Sequence, residues 1–148
     1  MQMLSYISQS QLPEAGREAA LDQLVMQSQS RNLKDDVTGV LFLRGNVFFQ
    51  TIEGPSEVIN ATYDRIKADP RHKGLYLIMN EPIEERRFDD WSLESFQTPE
   101  TTLDVMCIMH DLGRYLAETR HFSPYGIAAF SLRMMNDLTG YRLAGQIV

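Results

Sequence analysis

Cysteine is almost missing from this chain. Cys107 is the only one in 148 residues, so no disulfide can close within the chain and an apolar core must hold the fold. Cationic clusters are missing too: 14 Lys and Arg residues are scattered among 20 acidic ones, giving a net charge of -6. A nucleic-acid partner or an anionic membrane surface is therefore not expected. No apolar stretch approaches the roughly 20 residues of a membrane helix, and residues 1–10 show no basic region followed by an apolar run. These absences lead to the expectation of a soluble, cytoplasmic protein whose partner is a small molecule or another protein. The chain also lacks a dinucleotide glycine fingerprint, a phosphate loop and a nucleophile elbow, so catalysis has no positive signal. Cys107 and His110 stand three apart in a helical pattern, but two ligands fall short of a metal site, and packing or solvation is the reading for both.

What is present alternates cleanly between two periods. Leu4 to Ser8 reads as a strand, and residues 14–31 read as a helix with Leu21, Leu24, Val25 and Ser28 on one face, weakened near its start by Gly16. Residues 37–43 and 47–53 are β-rich runs joined by Arg44-Gly45-Asn46, which suits a hairpin. A second amphipathic helix follows Pro55 and runs to about Ala68, with Val58, Thr62 and Ile66 on its stripe. Residues 74–79 form another apolar run, and 91–96 alternate as a last strand. The order β-α-β-β-α-β-β predicts an α+β, ferredoxin-like unit with an added fifth strand: a mixed sheet with two helices on one face. Residues 1–97 complete that unit. Residues 98–148 change to helical spacing and predict a helical pair, the second member starting at Ser123-Pro124 and lined by Ile127, Phe130 and Met134.

One residue breaks the apolar logic. In Phe48-Phe49-Gln50-Thr51-Ile52-Glu53-Gly54, strand alternation places Gln50 between Phe48 and Ile52 on the buried face. An unpartnered amide there costs about 1–3 kcal/mol, so Gln50 requires a polar partner supplied by the protein or by a ligand. Both helices also turn polar at one end. The stripe Leu21, Leu24, Val25 runs into Ser28 and Asn32, and the stripe Thr62, Ile66 runs into Asp69, Arg71 and His72 with Arg65 beside it. Two such helices side by side describe a slot for a flat ligand with a polar tail, although polar helix ends are common in any protein.

Taken together, Tyr6-Ile7-Ser8, Arg31-Asn32 with Val37-Thr38-Gly39, the Gln50 strand, Tyr63-Asp64-Arg65-Ile66, Asp69-Pro70-Arg71-His72 and Arg87-Phe88-Asp89-Asp90-Trp91-Ser92 resemble the BLUF domain. That family is a group of blue-light sensors that hold FAD non-covalently between the two helices of a ferredoxin-like sheet. The resemblance implies that Tyr6 is the electron and proton donor, that Gln50 links it to the flavin ring, and that Trp91 is a third photoactive residue. It further implies that Asn32 bonds the edge of the ring, that Leu24 and Ile66 sandwich its faces, and that Arg65, Asp69 and His72 lie toward the ribityl and phosphate tail. Ser28 and Arg31 complete the implied FAD-binding set. The chain departs from the family pattern at Arg31, where asparagine is usual, and at Leu93, where methionine is usual.

The expected function is that of a short photoreceptor without enzymatic activity, which reports light through changed contacts with an unidentified downstream signalling protein. Self-association or partner docking is also expected, through the tail, with its Met106, Met109, Met134 and Met135, and through an exposed sheet face. The rivals are a flavin-dependent or acylphosphatase-like enzyme, and a non-photoactive dimerisation module.

Overall fold

The computed structural model describes residues 1–88, 93–98 and 123–124. Its elements follow the order β1 (Gln2–Ser10), α1 (Arg17–Lys34), β2 (Thr38–Arg44), β3 (Val47–Gly54), α2 (Ser56–Lys67), β4 (His72–Pro82) and β5 (Glu94–Thr98). The first four strands form an antiparallel sheet with two helices, in the order β4-β1-β3-β2, and the backbone of β5 runs parallel to β2 at the edge. Crossing from β1 through α1 to β2 leaves a gap that β3 fills, which is the split βαβ connection. As the central strand β3 is covered on both faces and is buried from Phe48 to Gly54.

The element boundaries moved for physical reasons. α1 begins at Arg17 because Gly16 adopts a left-handed conformation (φ 73°) and so precedes the helix, and it extends to Lys34. Gly45 (φ 58°) makes the two-residue turn between paired Arg44 and Val47. β4 is longer than its apolar run, since main-chain pairing from His72 opposite Ser10 to Pro82 opposite Gln2 needs no apolar side chain at an edge. His72 is therefore a strand residue.

The sheet has two differently filled faces. On the face away from the helices, Met3, Ser5, Val40, Phe42, Phe49, Thr51 and Glu53 are all fully buried. The expectation of an exposed sheet face is thus corrected at these positions. Exposed apolar surface on the described sheet lies instead on edge strand β4, at Tyr76 (66% exposed) and Leu77 (42%). Among the described residues no helix is long and apolar enough to cross a membrane. Trp91, the Cys107 and His110 pair and the helical pair of the tail lie outside the described residues, apart from Ser123 and Pro124.

Candidate functional site: a slot between the two helices

The core beneath the helices is divided. Under α1, Leu21 and Val25 pack with Leu41, Leu43, Phe48 and Leu93, flanked by Leu12 and Leu24. Under α2, Ile59 packs with Leu4, Tyr6, Val37 and Ile52, flanked by Val58, Tyr63, Ile66 and Leu75. Phe48 belongs to the first cluster and Ile52 to the second, and Gln50 stands between them on β3. Had α1 and α2 closed on each other, the two clusters would have merged at this seam. What fills the seam instead is a pair of adjoining cavities.

The inner cavity is lined by Tyr6, Leu24, Ser28, Leu41, Phe48, Gln50, Ile66, Asp69, Arg71 and His72. The outer one is lined by Gln27, Ser28, Arg31, Asn32, Gln50, Ile52, Thr62, Arg65, Ile66, Asp69 and Arg71. Ser28, Gln50, Ile66, Asp69 and Arg71 are common to both, so the two form one continuous slot. The helices supply its apolar walls at Leu24 and Ile66, and β3 supplies its floor.

Tyr6 and Gln50 are cross-strand partners in the β1–β3 ladder, which places both side chains on the helix face. The Tyr6 hydroxyl donates a hydrogen bond to Gln50 Oε1. Tyr6 is 3% exposed and Gln50 7%. Burial above all, followed by the neighbouring Tyr63 and Asp69, pushes the Tyr6 phenol well above its ordinary range, so it keeps its proton throughout the physiological pH window. The Gln50 amide nitrogen has no hydrogen-bond partner among the described residues. A donor left open at the wall of a cavity is placed to meet a ligand acceptor.

The polar end is already organised. Arg71 grips the Asp69 carboxylate with Nε (2.9 Å to Oδ1) and a terminal nitrogen (2.6 Å to Oδ2), while the Arg71 backbone N–H donates to Oδ1 at 2.9 Å. The guanidinium holds the Asp69 carboxyl below its usual range. Arg71 also donates to Gln27 Oε1 at 3.0 Å, and Arg65 donates to Asp35 Oδ2 and Thr62 Oγ1, each at 2.9 Å. Both arginines therefore link the α2 side of the slot to the α1 side.

His72 stands apart from this group. Its ring nitrogens meet Ser8 Oγ at 2.8 Å and the Ile66 carbonyl at 2.6 Å, and its ring lies 6.0 Å from that of Tyr6. It therefore lines the inner cavity with Tyr6 and not the outer one with Arg31, Asn32 and Arg65. Leu93 is buried against the α1 cluster, and its carbonyl accepts a bond of 2.9 Å from Gln29 Nε2. Gln27 and Leu41 line the slot although the sequence did not point to them, whereas Thr62 and Arg71, on the polar stripe of the second helix, and Phe48, beside Gln50, line it without having been expected to bind flavin. For Arg71 a signal existed: an Asp-Pro-Arg turn lets the aspartate cap the backbone N–H two residues on.

A ferredoxin-like sheet with an apolar slot between its helices, a tyrosine–glutamine pair on the floor and arginines at the mouth has the shape and chemistry of a small-molecule site. Comparison with known proteins identifies the class. The family model for sensors of blue-light using FAD matches residues 1–94, and the chain belongs to this BLUF family. The cofactor that the family uses is FAD. The chain is 36% identical over 76 residues to the blue light- and temperature-regulated antirepressor BluF of Escherichia coli K12, covering 51% of this chain and 19% of that protein. It is 29% identical over 126 residues to photoactivated adenylate cyclase subunit beta of Euglena gracilis, covering 84% of this chain and 15% of the relative. The chain thus spans under a fifth of the length of these curated relatives. Among solved structures, the dark state of BlrB, a BLUF protein, superposes with a TM-score of 0.67 at 31% identity, covering 93% of this chain and 96% of that one. The photo-activated state of BlsA shares the fold, with a TM-score of 0.70 at 22% identity.

Proposed function

We propose that the slot holds FAD non-covalently and that Tyr6 and Gln50 convert light absorption into a change of hydrogen bonding. The observation that carries this reading is the buried Tyr6–Gln50 pair with its open amide nitrogen facing the cavity. The residues present suit the cofactor: Leu24 and Ile66 would face a planar ring, Gln50 Nε2 and Asn32 would meet its polar edge, and Ser28, Arg31 and Arg65 would face the tail. Asp69 and His72 would shape the slot indirectly, Asp69 by holding Arg71 and His72 by bracing Tyr6. When bound, FAD supplies the blue-light absorption and the oxidising power of its excited state.

Tyr6 is the donor in this scheme. A protonated phenol can release an electron and then its hydroxyl proton, and its burial keeps that proton from exchanging freely with solvent. Gln50 records the event because an amide has an acceptor end and a donor end, and can swap them by rotation or tautomerisation. Each exchanged bond contributes roughly 0.5–1.5 kcal/mol, so two or three bias a conformational equilibrium by a few kcal/mol. Trp91 is assigned to the photoactive group through the family pattern alone.

The rest of the scheme concerns output. Residues 1–97 form the sensor, with β5 as its fifth strand, and residues 98–148 form a helical cap that contacts other copies or a downstream signalling protein. The antirepressor and cyclase relatives fit such a division, since only a small part of each is matched. The chain itself acts as a cytoplasmic sensor, with no nucleic-acid or membrane partner and without catalysis.

The deciding measurement is the visible spectrum of the purified protein in darkness and just after blue illumination. A flavin spectrum that shifts slightly to the red and recovers in the dark is expected. A flavin spectrum that bleaches or never shifts would overturn the Tyr6 and Gln50 scheme.

A further inference from the structure

The three arginines at the mouth of the slot are not equivalent. Arg65 is engaged by Asp35 and Thr62, and Arg71 by Asp69 and Gln27. Each of these guanidiniums is balanced by a carboxylate. Arg31 lines the outer cavity with them and also the open cleft of about 920 Å³ beyond it, yet its guanidinium has no partner among the described residues. Among the described residues the mouth therefore carries one positive charge without a paired carboxylate, in a chain whose net charge is -6.

Position gives that charge a direction. Ser28 lines both inner and outer cavities, and Arg31 lies three residues further along α1 on the neighbouring surface of the helix. A ligand tail leaving the ring end past Ser28 meets Arg31 next, with the amides of Gln23 and Gln27 beside it. A planar guanidinium with parallel N–H donors matches a phosphate better than any neutral hydroxylated chain.

We propose that Arg31 is a specificity-determining residue which selects flavins carrying a phosphate over riboflavin. The inference rests on the reading of the slot as a flavin site, but it concerns the tail alone. Its test is titration of the full chain, stripped of flavin, with riboflavin, FMN and FAD at low and raised salt, in the wild type and in Arg31→Gln. FMN and FAD should bind about three- to tenfold more tightly than riboflavin, and raised salt should shrink that ratio. Arg31→Gln should bring the ratio close to one by weakening FMN and FAD binding about three- to tenfold more than riboflavin binding, and Arg31→Lys should restore part of it. A wild type that binds all three equally, a ratio untouched by Arg31→Gln, or a loss of riboflavin affinity equal to that of FAD would each overturn the proposal. Uptake of none of the three flavins by the wild type would overturn the flavin reading of the slot and this inference with it.

Discussion

Gln50 and Glu53 lie three residues apart on the same central strand, both buried, and they have opposite characters. Glu53 points to the face away from the helices and is saturated: its carboxylate accepts from Thr38 Oγ1 at 3.0 Å, from the Arg87 backbone N–H at 2.9 Å and from the Phe88 backbone N–H at 2.6 Å. Arg86 closes the same corner through Thr38 Oγ1 at 2.9 Å and the Asp36 carbonyl at 2.8 Å. Gln50 points between the helices and is unsaturated, with one partner on its oxygen and none on its nitrogen among the described residues. The lesson is that burial of a polar side chain does not distinguish anchor from site. Saturation does, because a fully bonded group has no capacity left for a ligand, whereas an open donor beside a cavity gains free energy only when something enters.

The largest expected effect breaks the anchor. Glu53→Ala removes the acceptor of three donors in the interior, two of them backbone N–H groups, and should destabilise the fold by about 3 kcal/mol or more in urea unfolding. Glu53→Gln should recover part of that loss. Gln50→Leu should behave differently: a cost of no more than about 1–2 kcal/mol, from the Tyr6 hydroxyl losing its acceptor, with flavin retained and the light-driven red shift abolished. Tyr6→Phe should likewise keep flavin and lose the shift. If Gln50→Leu proved as destabilising as Glu53→Ala, the contrast between site and anchor would fail.

Smaller effects sharpen the comparison at the edges of the slot. Leu93→Met exchanges side chains of similar volume in the cluster under α1 and should change stability by about 1 kcal/mol or less, without loss of flavin. Any change should appear in the light-dependent output, which a side-by-side dark and lit hydrogen-exchange measurement can read. The least effect concerns Asp69. Its carboxyl is held below the usual range by Arg71, so the contribution of this pair is present above the unfolded carboxylate value near 4 and is lost as pH falls through the lower folded value. Both partners are a quarter to a third exposed, and solvent screening limits the contribution to about 0.5 kcal/mol. Asp69→Asn should flatten that acid limb of the stability curve and leave neutral stability almost unchanged.

Much of this molecule was legible before any coordinates. Strand alternation put Gln50 on the Phe48 and Ile52 face, and helical spacing put Leu24, Ser28 and Asn32 on one stripe and Thr62 and Ile66 on another, because side-chain direction is fixed by backbone period. The boundaries of α1 and β4 were less legible. A left-handed glycine and a ladder of main-chain bonds decided them, and neither leaves an apolar pattern.

By itself the sequence determined the order of elements, the faces they bury and the presence of a costly amide among apolar neighbours. The pairing of that amide with Tyr6, 44 residues away, was implied by the family resemblance and is made by the β1–β3 ladder, whereas only the tertiary structure decided that the core divides beneath the two helices, and that Arg71 and Arg65 are already engaged while Arg31 has no partner among the described residues. The reason is physical. Periodicity encodes the direction in which a side chain points, but the partner it meets there depends on how distant segments pack, and a cavity exists only where that packing fails to close.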